Sequence, residues 1–155
     1  MNCNNFSINF STSNSGYGVY LNQNLNNVTI RNCEINDVSS STGGIYFNLV
    51  NDSFIINNTI NLQYSSRNGI LIESSLNNTI LNNFVNSSAA WYDPLYVTSN
   101  SNFNIIRNNY LYHYRVGGGG TALHIDNSNF NLAEGNYAYT FNGPSSIALR
   151  VQGSG

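Results

Sequence analysis

The chain has 155 residues, of which 41% are hydrophobic and only 8% are charged, and its formal net charge is −2 at pH 7. It contains no lysine and no apolar run long enough to cross a membrane. It therefore has neither the basic patch of a nucleic-acid-binding protein nor a transmembrane segment. We expect no nucleic-acid partner and no membrane span. The low charge and the many Asn, Ser and Tyr residues favour a location outside the cell or on its surface.

A short alternating unit opens each repeat of the chain. Gly, Pro or Ala begins the unit, and the residues after it alternate between two faces, as in a half-buried strand. The units begin at Gly18, Gly44, Gly69, Pro94, Ala122 and Ala148, 25 to 28 residues apart. Their predicted inward-facing pairs are Val19 and Leu21, Ile45 and Phe47, Ile70 and Ile72, Leu95 and Val97, Leu123 and Ile125, and Leu149 and Val151. The small first residue fits a turn in which backbones pack closely.

An aliphatic column and a five-residue unit come next within each repeat. The column is Ile30, Ile55, Ile80 and Ile106, continued by Leu132 or Ala133. The five-residue units read RNCEI at 31–35, INNTI at 56–60, LNNFV at 81–85, RNNYL at 107–111 and EGNYA at 134–138. Their third positions are Cys33, Asn58, Asn83, Asn109 and Asn136. We expect these Asn residues to adopt αL turns and to hydrogen-bond to one another as a ladder across the repeats.

The period of the repeats, with three short strands in each, predicts the fold. The prediction is an all-β protein, a single-stranded right-handed parallel β-helix of about five to six coils, in which each strand pairs with its equivalent one coil further along. We expect residues 16–151 to form the repeats, residues 1–15 a partial amino-terminal coil or cap, and residues 152–155 a tail or linker.

The stretches NNVTIRNCEI, NDSFIINNTI and LNNTILNNFV resemble the repeats of pectate-lyase-like proteins, NosD-like repeats among them, and the Asn-rich repeats of archaeal surface adhesin-like proteins. The resemblance covers about Gly16 to Val151 and implies the parallel β-helix scaffold. It implies no single activity, because this scaffold carries lyases, hydrolases, adhesins and phage tailspikes. A lyase of this type would hold Ca²⁺ between clustered Asp side chains, whereas the seven acidic residues here are scattered. We expect no cofactor, with Ca²⁺ only under an enzymatic alternative.

The chain has two cysteines, Cys3 and Cys33, which lie 30 residues or roughly one coil apart. Two interpretations stay open. The pair forms a disulfide between neighbouring coils, or the two residues remain buried thiols that pack as small apolar groups.

The best catalytic candidates are His124, Asp126 and Arg150. His124 and Asp126 alternate with inward-facing residues, so both face outward, and Arg150 lies one coil further in the column of His124. A His beside a carboxylate and a cation is suited to acid–base catalysis. The alternative is an exposed His among ordinary polar surface groups.

Aromatic residues form rows on the predicted outer faces. The rows hold Tyr20, Tyr46 and Tyr96 on the first strand, and Phe84, Tyr110 and Tyr137, then Tyr112 and Tyr139, beside the Asn ladder. The variable loops after the third strand add Tyr64, Arg67, Trp91, Tyr92 and the run 117–120. Such rows bind sugar rings or another protein. Alternatively, they stack on one another and stabilise the sheet.

These features favour a non-enzymatic structural or adhesive β-helix segment, located outside the cell or at its surface. Open solenoid ends expose strand edges, so we expect self-association or a longer parent chain. The first alternative is a carbohydrate-active enzyme, a pectate-lyase-like polysaccharide lyase or a glycoside hydrolase. The second is a glycan-binding module that uses the aromatic rows for a polysaccharide or other glycan.

Overall fold

The computed structural model describes residues 1–10, 16–38, 42–63, 67–88, 91–114, 119–141 and 146–153. These residues form short strands joined by turns, with no helix among them. Some residues with predicted roles lie outside the described residues: Tyr64, positions 117–118 of the glycine run, residues 11–15 of the amino-terminal segment, and residues 154–155 of the tail.

The described residues contain 19 strands. In chain order they are β1 Ser7–Phe10, β2 Gly16–Leu21, β3 Leu25–Asn26, β4 Thr29–Arg31, β5 Glu34–Asp37, β6 Thr42–Asn48, β7 Val50–Asn51, β8 Phe54–Ile56, β9 Thr59–Leu62, β10 Ile70–Glu73, β11 Thr79–Leu81, β12 Phe84–Ser87, β13 Leu95–Thr98, β14 Ile105–Arg107, β15 Tyr110–Tyr114, β16 Thr121–Asp126, β17 Leu132–Glu134, β18 Tyr137–Phe141 and β19 Ile147–Gln152.

The strands stack into three parallel sheets, which we number by their order within a coil. Sheet 1 has the strand order β2-β6-β10-β13-β16-β19, sheet 2 has β4-β8-β11-β14-β17, and sheet 3 has β1-β5-β9-β12-β15-β18. The short pair β3–β7 lies between sheets 1 and 2 in the chain and was not predicted. The chain is a parallel β-solenoid of about 5 turns, which confirms the predicted all-β architecture.

The core lies inside the coils and is lined by the inward columns of all three sheets. Ile45 of sheet 1, Ile55 of sheet 2 and Ile60 of sheet 3 are fully buried. In sheet 2 the register aligns Ile106 with Ala133, so Ala133 rather than Leu132 continues the aliphatic column. The last predicted inward pair, Leu149 and Val151, is 53% and 67% exposed because β19 is the outermost strand of sheet 1.

An Asn ladder runs through the turn between sheets 2 and 3. The side-chain Oδ1 of Asn83 accepts from the backbone N and the Nδ2 of Asn58, both at 3.0 Å. Asn83 repeats this pattern toward Asn109, and its Nδ2 also donates to the carbonyl oxygen of Ile55 at 2.8 Å. Each buried amide therefore has its hydrogen bonds satisfied by the coils on either side, which makes its burial tolerable.

The αL conformation belongs to the residue before each ladder position, so the expectation that the ladder Asn itself adopts it is wrong. Positive φ values of 53° to 64° occur at Asn32, Asn57, Asn82, Asn108 and Gly135. Asn and Gly are the residues that adopt this conformation most readily. The paired Asn residues of the repeat therefore divide two tasks: the first forms the turn and the second forms the ladder.

A second Asn ladder, which was not predicted from the sequence, runs through the turn between sheets 1 and 2. The backbone N of Ser53 donates to Asn78 Oδ1 at 3.0 Å, and the backbone N of Asn78 donates to Asn104 Oδ1 at 2.8 Å. Asn104 continues the pattern to Asn131. Two internal ladders thus fix two of the three corners of each coil.

Cys3 and Cys33 are joined by a disulfide, which is the first of the two interpretations left open. Cys33 occupies the ladder position of its coil, and its backbone N donates to Asn58 Oδ1 at 3.1 Å. Residues 1–10 pair with the next coil through a bridge from Asn2 to Arg31 and through β1 and β5. The disulfide therefore ties this segment covalently to the solenoid.

Candidate functional site

Sheet 3 carries an aromatic ladder, defined here as Phe84, Tyr110, Tyr112, Tyr114, Tyr137, Tyr139 and Phe141. The strands are parallel and in register, so equivalent rings lie next to one another along the solenoid axis. Ring centroids are 5.5 Å apart for Phe84–Tyr110, 4.3 Å for Tyr110–Tyr137, 4.8 Å for Tyr112–Tyr139 and 4.9 Å for Tyr114–Phe141. All four pairs are stacked.

Both ring faces of Tyr110 are covered by other rings of this ladder. Tyr110 is stacked between Phe84 and Tyr137 and is 43% exposed. Loss of solvation and the neighbouring Tyr137 hydroxyl raise the pKa of Tyr110. A sugar ring stacks on an aromatic face rather than on an edge. For Tyr110 the geometry therefore favours the interpretation in which the row stabilises the sheet.

Sheet 1 carries a different arrangement, the tyrosine pocket, lined by Gly16, Tyr17, Tyr20, Tyr46 and Arg67 with a volume of about 500 Å³. The Tyr46 ring centroid lies 4.9 Å from that of Tyr17 and 5.1 Å from that of Tyr20. The interplanar angles of these two pairs are 33° and 51°. Tyr17 and Tyr20 are stacked at 6.3 Å with an interplanar angle of 27°, and Tyr20 is 53% exposed, so the pocket presents aromatic surface to solvent mainly through Tyr20.

Charged groups flank the tyrosine pocket. The Arg67 guanidinium carbon lies 5.6 Å from the centroid of the Tyr17 ring, within the range of a cation–π interaction. The Tyr46 hydroxyl donates to the Glu73 carboxylate. Burial, together with this hydrogen bond and the Glu73 charge, raises the pKa of Tyr46. Burial also raises the pKa of Tyr17, although Arg67 opposes the shift. Both phenols therefore stay protonated at neutral pH.

His124 lies further along the outer face of sheet 1. Its Nδ1 is 2.9 Å from Asp93 Oδ2, and Asp93 Oδ1 accepts from the backbone N of Thr121 at 2.6 Å. The His124 ring also stacks on Tyr96 with centroids 4.6 Å apart. Because a carboxylate only accepts hydrogen bonds, this contact assigns the proton of a neutral His124 to Nδ1 and leaves Nε2 as a base.

The other two predicted catalytic residues surround His124 without bonding to it. Asp126 Oδ2 accepts from the Tyr96 hydroxyl at 3.3 Å, and Arg150, aligned with His124 in the sheet, donates to Gln152 at 2.8 Å. Burial is the main cause that raises the pKa of Tyr96. His124 Nε2 and Asp126 Oδ1 are both buried with no hydrogen-bond partner among the described residues. The carboxylate that contacts His124 is thus Asp93, not Asp126.

Trp91 and Tyr92 precede Asp93 and are 70% and 42% exposed. Tyr92 is close enough to Tyr17 for its ionisation to contribute to the raised pKa of Tyr17. Trp91 makes no ring contact with another aromatic residue in the described part of the chain. Both side chains therefore extend the aromatic character of sheet 1 toward solvent.

Two other kinds of feature are absent from the described residues. No group of three or more His, Cys, Asp or Glu side chains is placed there to hold a metal ion. The same residues include no helix with the length and hydropathy needed to cross a membrane.

Sequence reasoning missed Tyr17, Glu73 and Asp93 as parts of these sites. Tyr17 does not belong to the outward-facing column of Tyr20 and Tyr46. It aligns with Gly43 in the next coil, and a Cβ at Gly43 would overlap the Tyr17 ring. The position of Tyr17 could have been predicted from the sequence, because a glycine occurs at the equivalent position one coil further along. Glu73 was counted only among the scattered acids, and Asp93 was also placed in the loop with Trp91 and Tyr92, but neither was linked to its partner, because the partners lie 27 and 31 residues away.

The fold and these surfaces define a parallel β-solenoid repeat protein with aromatic outer faces. No protein-family model, no curated protein and no solved structure matches the chain. The finer resemblance to pectate-lyase-like or NosD-like repeats therefore rests on the repeat sequences themselves.

Proposed function

We propose that the chain is a non-enzymatic structural and adhesive β-solenoid segment that acts outside the cell or on its surface. In this proposal it attaches to glycans through the tyrosine pocket of sheet 1. The repeats that resemble those of adhesin-like proteins agree with this function. A disulfide is also typical of proteins in oxidising compartments.

The observation that carries the proposal is the open arrangement of the pocket rings. Tyr20 and Tyr46 offer aromatic surface to a sugar ring, while Arg67 provides a donor for hydroxyl or carboxylate groups. Mostly aromatic clefts of a few hundred Å³ with a small number of polar groups are typical ligand sites. The internal ladders hold these side chains on a rigid support, which reduces the entropy lost on binding.

A glycan array with the intact chain tests the proposal. We expect binding to a defined subset of glycans and its loss in Tyr20→Ala, because Tyr20 is 53% exposed and forms one side of the pocket. The matched control is Tyr137→Ala, a tyrosine of similar exposure, 48%, on sheet 3. An array without binding, or equal loss in both variants, would contradict the pocket as the attachment site.

The contact between Asp93 and His124 favours the second candidate function, a carbohydrate-active enzyme of the lyase or hydrolase type. A carboxylate behind Nδ1 orients the ring and stabilises the imidazolium that forms when Nε2 takes up a proton. The test is release of sugar ends from polysaccharides, with and without Ca²⁺, by the intact chain and by His124→Gln. Release that the variant abolishes would favour the enzyme over the adhesive segment.

Self-association stays a prediction. Light scattering over a wide concentration range measures it directly. A molar mass that grows with concentration would support a self-assembling segment, and a constant monomer mass would contradict it.

A further inference from the structure

The aromatic ladder of sheet 3 begins abruptly, and this leaves the rings of Tyr112 and Tyr114 without an aromatic neighbour in the preceding coil. Tyr112 aligns with Asn86 of the preceding coil, and Tyr114 extends β15 beyond the end of β12. The preceding coil therefore brings a small polar residue instead of a ring to the faces of Tyr112 and Tyr114. We call these two side chains the tyrosine wall.

The wall is flat and supported from behind. The centroids of Tyr112 and Tyr114 are 6.3 Å apart and their planes differ by 12°, so the rings lie side by side. Tyr139 stacks on Tyr112 at 4.8 Å, and Phe141 stacks on Tyr114 at 4.9 Å. Each ring thus has one covered face and one open face. The stacking holds both rings in place before any ligand arrives.

A cleft of about 390 Å³ lies in front of the wall, which is within the usual range for small-ligand sites. Its lining consists of Leu62, Gln63, Asn86, Ser88, Tyr112 and Tyr114. None of these lining side chains is charged, in contrast to the sheet 1 pocket with its Arg67. Gln63 and Asn86 bring side-chain amides that both donate and accept hydrogen bonds.

We infer that the tyrosine wall binds a pyranose ring of a neutral glycan. A pyranose has an apolar C–H face and hydroxyls around its rim, which match an aromatic face and neighbouring amides. The uncharged lining disfavours an acidic sugar, because its carboxylate would lose solvation without gaining a cationic partner. This inference rests on the proposed adhesive function and deepens it, since two glycan sites on different faces strengthen attachment through avidity.

The test compares tyrosines whose ring faces are open or covered. Isothermal titration calorimetry would use cellohexaose, laminarihexaose and mannohexaose as neutral probes and an oligogalacturonate as the acidic probe. We expect Tyr114→Ala to weaken binding of a neutral probe about tenfold, the value of one aromatic stacking contact. Tyr114→Phe keeps the ring and should retain binding. The matched control is Tyr110→Ala, whose faces are already covered, and its affinity should stay near that of the parent chain.

A filling variant tests the same site without removing a wall residue. Asn86→Tyr should extend the ladder by one ring, because Asn86 is the in-register neighbour of Tyr112. The new ring would cover the open face of Tyr112 and abolish binding of the neutral probe while the far-UV circular dichroism stays unchanged. Undiminished binding in Asn86→Tyr would overturn the inference even if Tyr114→Ala failed to fold.

The two proposals fail separately in this experiment. If Tyr20→Ala removes glycan binding and Tyr114→Ala and Asn86→Tyr do not, the wall is refuted and the sheet 1 pocket stands. The reverse result refutes the pocket and supports the wall. A parent chain that binds none of the neutral probes overturns the wall, and preference for oligogalacturonate at the wall would overturn its neutral specificity.

Discussion

The tyrosine pocket of sheet 1 and the aromatic ladder of sheet 3 use the same residue type on the same scaffold, yet their rings differ in orientation. Neighbouring planes in the ladder differ by only 12° to 24° between coils. In the pocket, Tyr46 is tilted by 33° from Tyr17 and by 51° from Tyr20. The ladder rings therefore stack face to face between coils, whereas the Tyr46 ring of the pocket is tilted against both of its neighbours.

The two regions differ in what lies beside the rings, although both contain in-register ring pairs, Tyr20 with Tyr46 in the pocket among them. In the ladder, Tyr110 aligns with Tyr137 of the next coil, and parallel stacking results. In the pocket, Tyr46 aligns with Leu71 of the next coil, and its hydroxyl is drawn toward Glu73. In-register rings therefore do not by themselves stack in parallel, and in the pocket the tilt of Tyr46 accompanies its hydrogen bond to Glu73.

The largest expected effect comes from disrupting the internal Asn ladder, which supports both regions. Asn83→Ala deletes an amide that bonds to Asn58, Asn109 and the Ile55 carbonyl. Several buried polar groups would lose their partners, so we expect a loss of about 3–5 kcal/mol in the free energy of unfolding. Urea unfolding followed by circular dichroism measures it. Asn61→Ala, an outward-facing amide on the same sheet, should lose less than about 1 kcal/mol.

A more selective change disturbs the strand of sheet 1 that carries Tyr46. A Cβ at Gly44 would overlap the carbonyl oxygen of Gly69 in the next coil and the side chain of Ile60. We expect Gly44→Ala to lower the free energy of unfolding by about 1–3 kcal/mol through overpacking. Because Gly44 lies in the same strand as Tyr46, binding at the tyrosine pocket should weaken while binding at the tyrosine wall persists. Gly153→Ala, where a Cβ has open space and which lies outside the pocket, is the control.

The repeat made the solenoid readable from the sequence, because every buried position recurs. Ile55 and Ile80, for instance, sit one period apart and pair in register. The same reasoning misassigned the αL turn, since Asn57 and Asn58 are adjacent identical residues with different tasks. Composition could not separate a turn-forming amide from a ladder-forming one. Only the backbone angles and hydrogen bonds distinguish them.

The candidate sites were only partly readable. The row that contains Tyr110 and Tyr137 was predicted. Alternation along a strand predicts on which face of the sheet a side chain lies, but it does not predict the tilt of an aromatic ring. The partners of His124 and Tyr46 come from other coils, and their choice depends on side-chain direction. The disulfide between Cys3 and Cys33 stayed open for the same reason, since the spacing allowed the contact without requiring it.

A smaller effect sharpens the contrast between the two tyrosine regions. Tyr110→Ala removes a ring that stacks on both Phe84 and Tyr137, and we expect the melting temperature to fall by about 2–4 °C. Tyr20→Ala removes a ring that belongs to the open pocket, and its melting temperature should fall less. Differential scanning calorimetry of the two variants measures both melting temperatures. Equal or reversed shifts would contradict the assignment of the ladder to stability and the pocket to binding.

The smallest expected effect is the contribution of the Tyr46 hydroxyl to the change in the free energy of unfolding at alkaline pH. Burial and Glu73 raise the pKa of Tyr46 in the folded chain, above its value of about 10 in the unfolded chain. As the pH rises, the unfolded chain therefore loses this proton first. The stabilisation is present in full below about pH 10 and declines as the pH rises toward the folded pKa.

Tyr46→Phe has no such proton, so its free energy of unfolding should decline less steeply on the alkaline side than that of the parent chain. Glu73→Gln should fall between the two, because it removes the carboxylate charge and leaves burial, the larger cause, in place. Urea unfolding at a series of alkaline pH values gives the three slopes. If Tyr46→Phe follows the parent curve, Tyr46 titrates at an ordinary pKa. The hydroxyl would then be open to solvent rather than bound to Glu73.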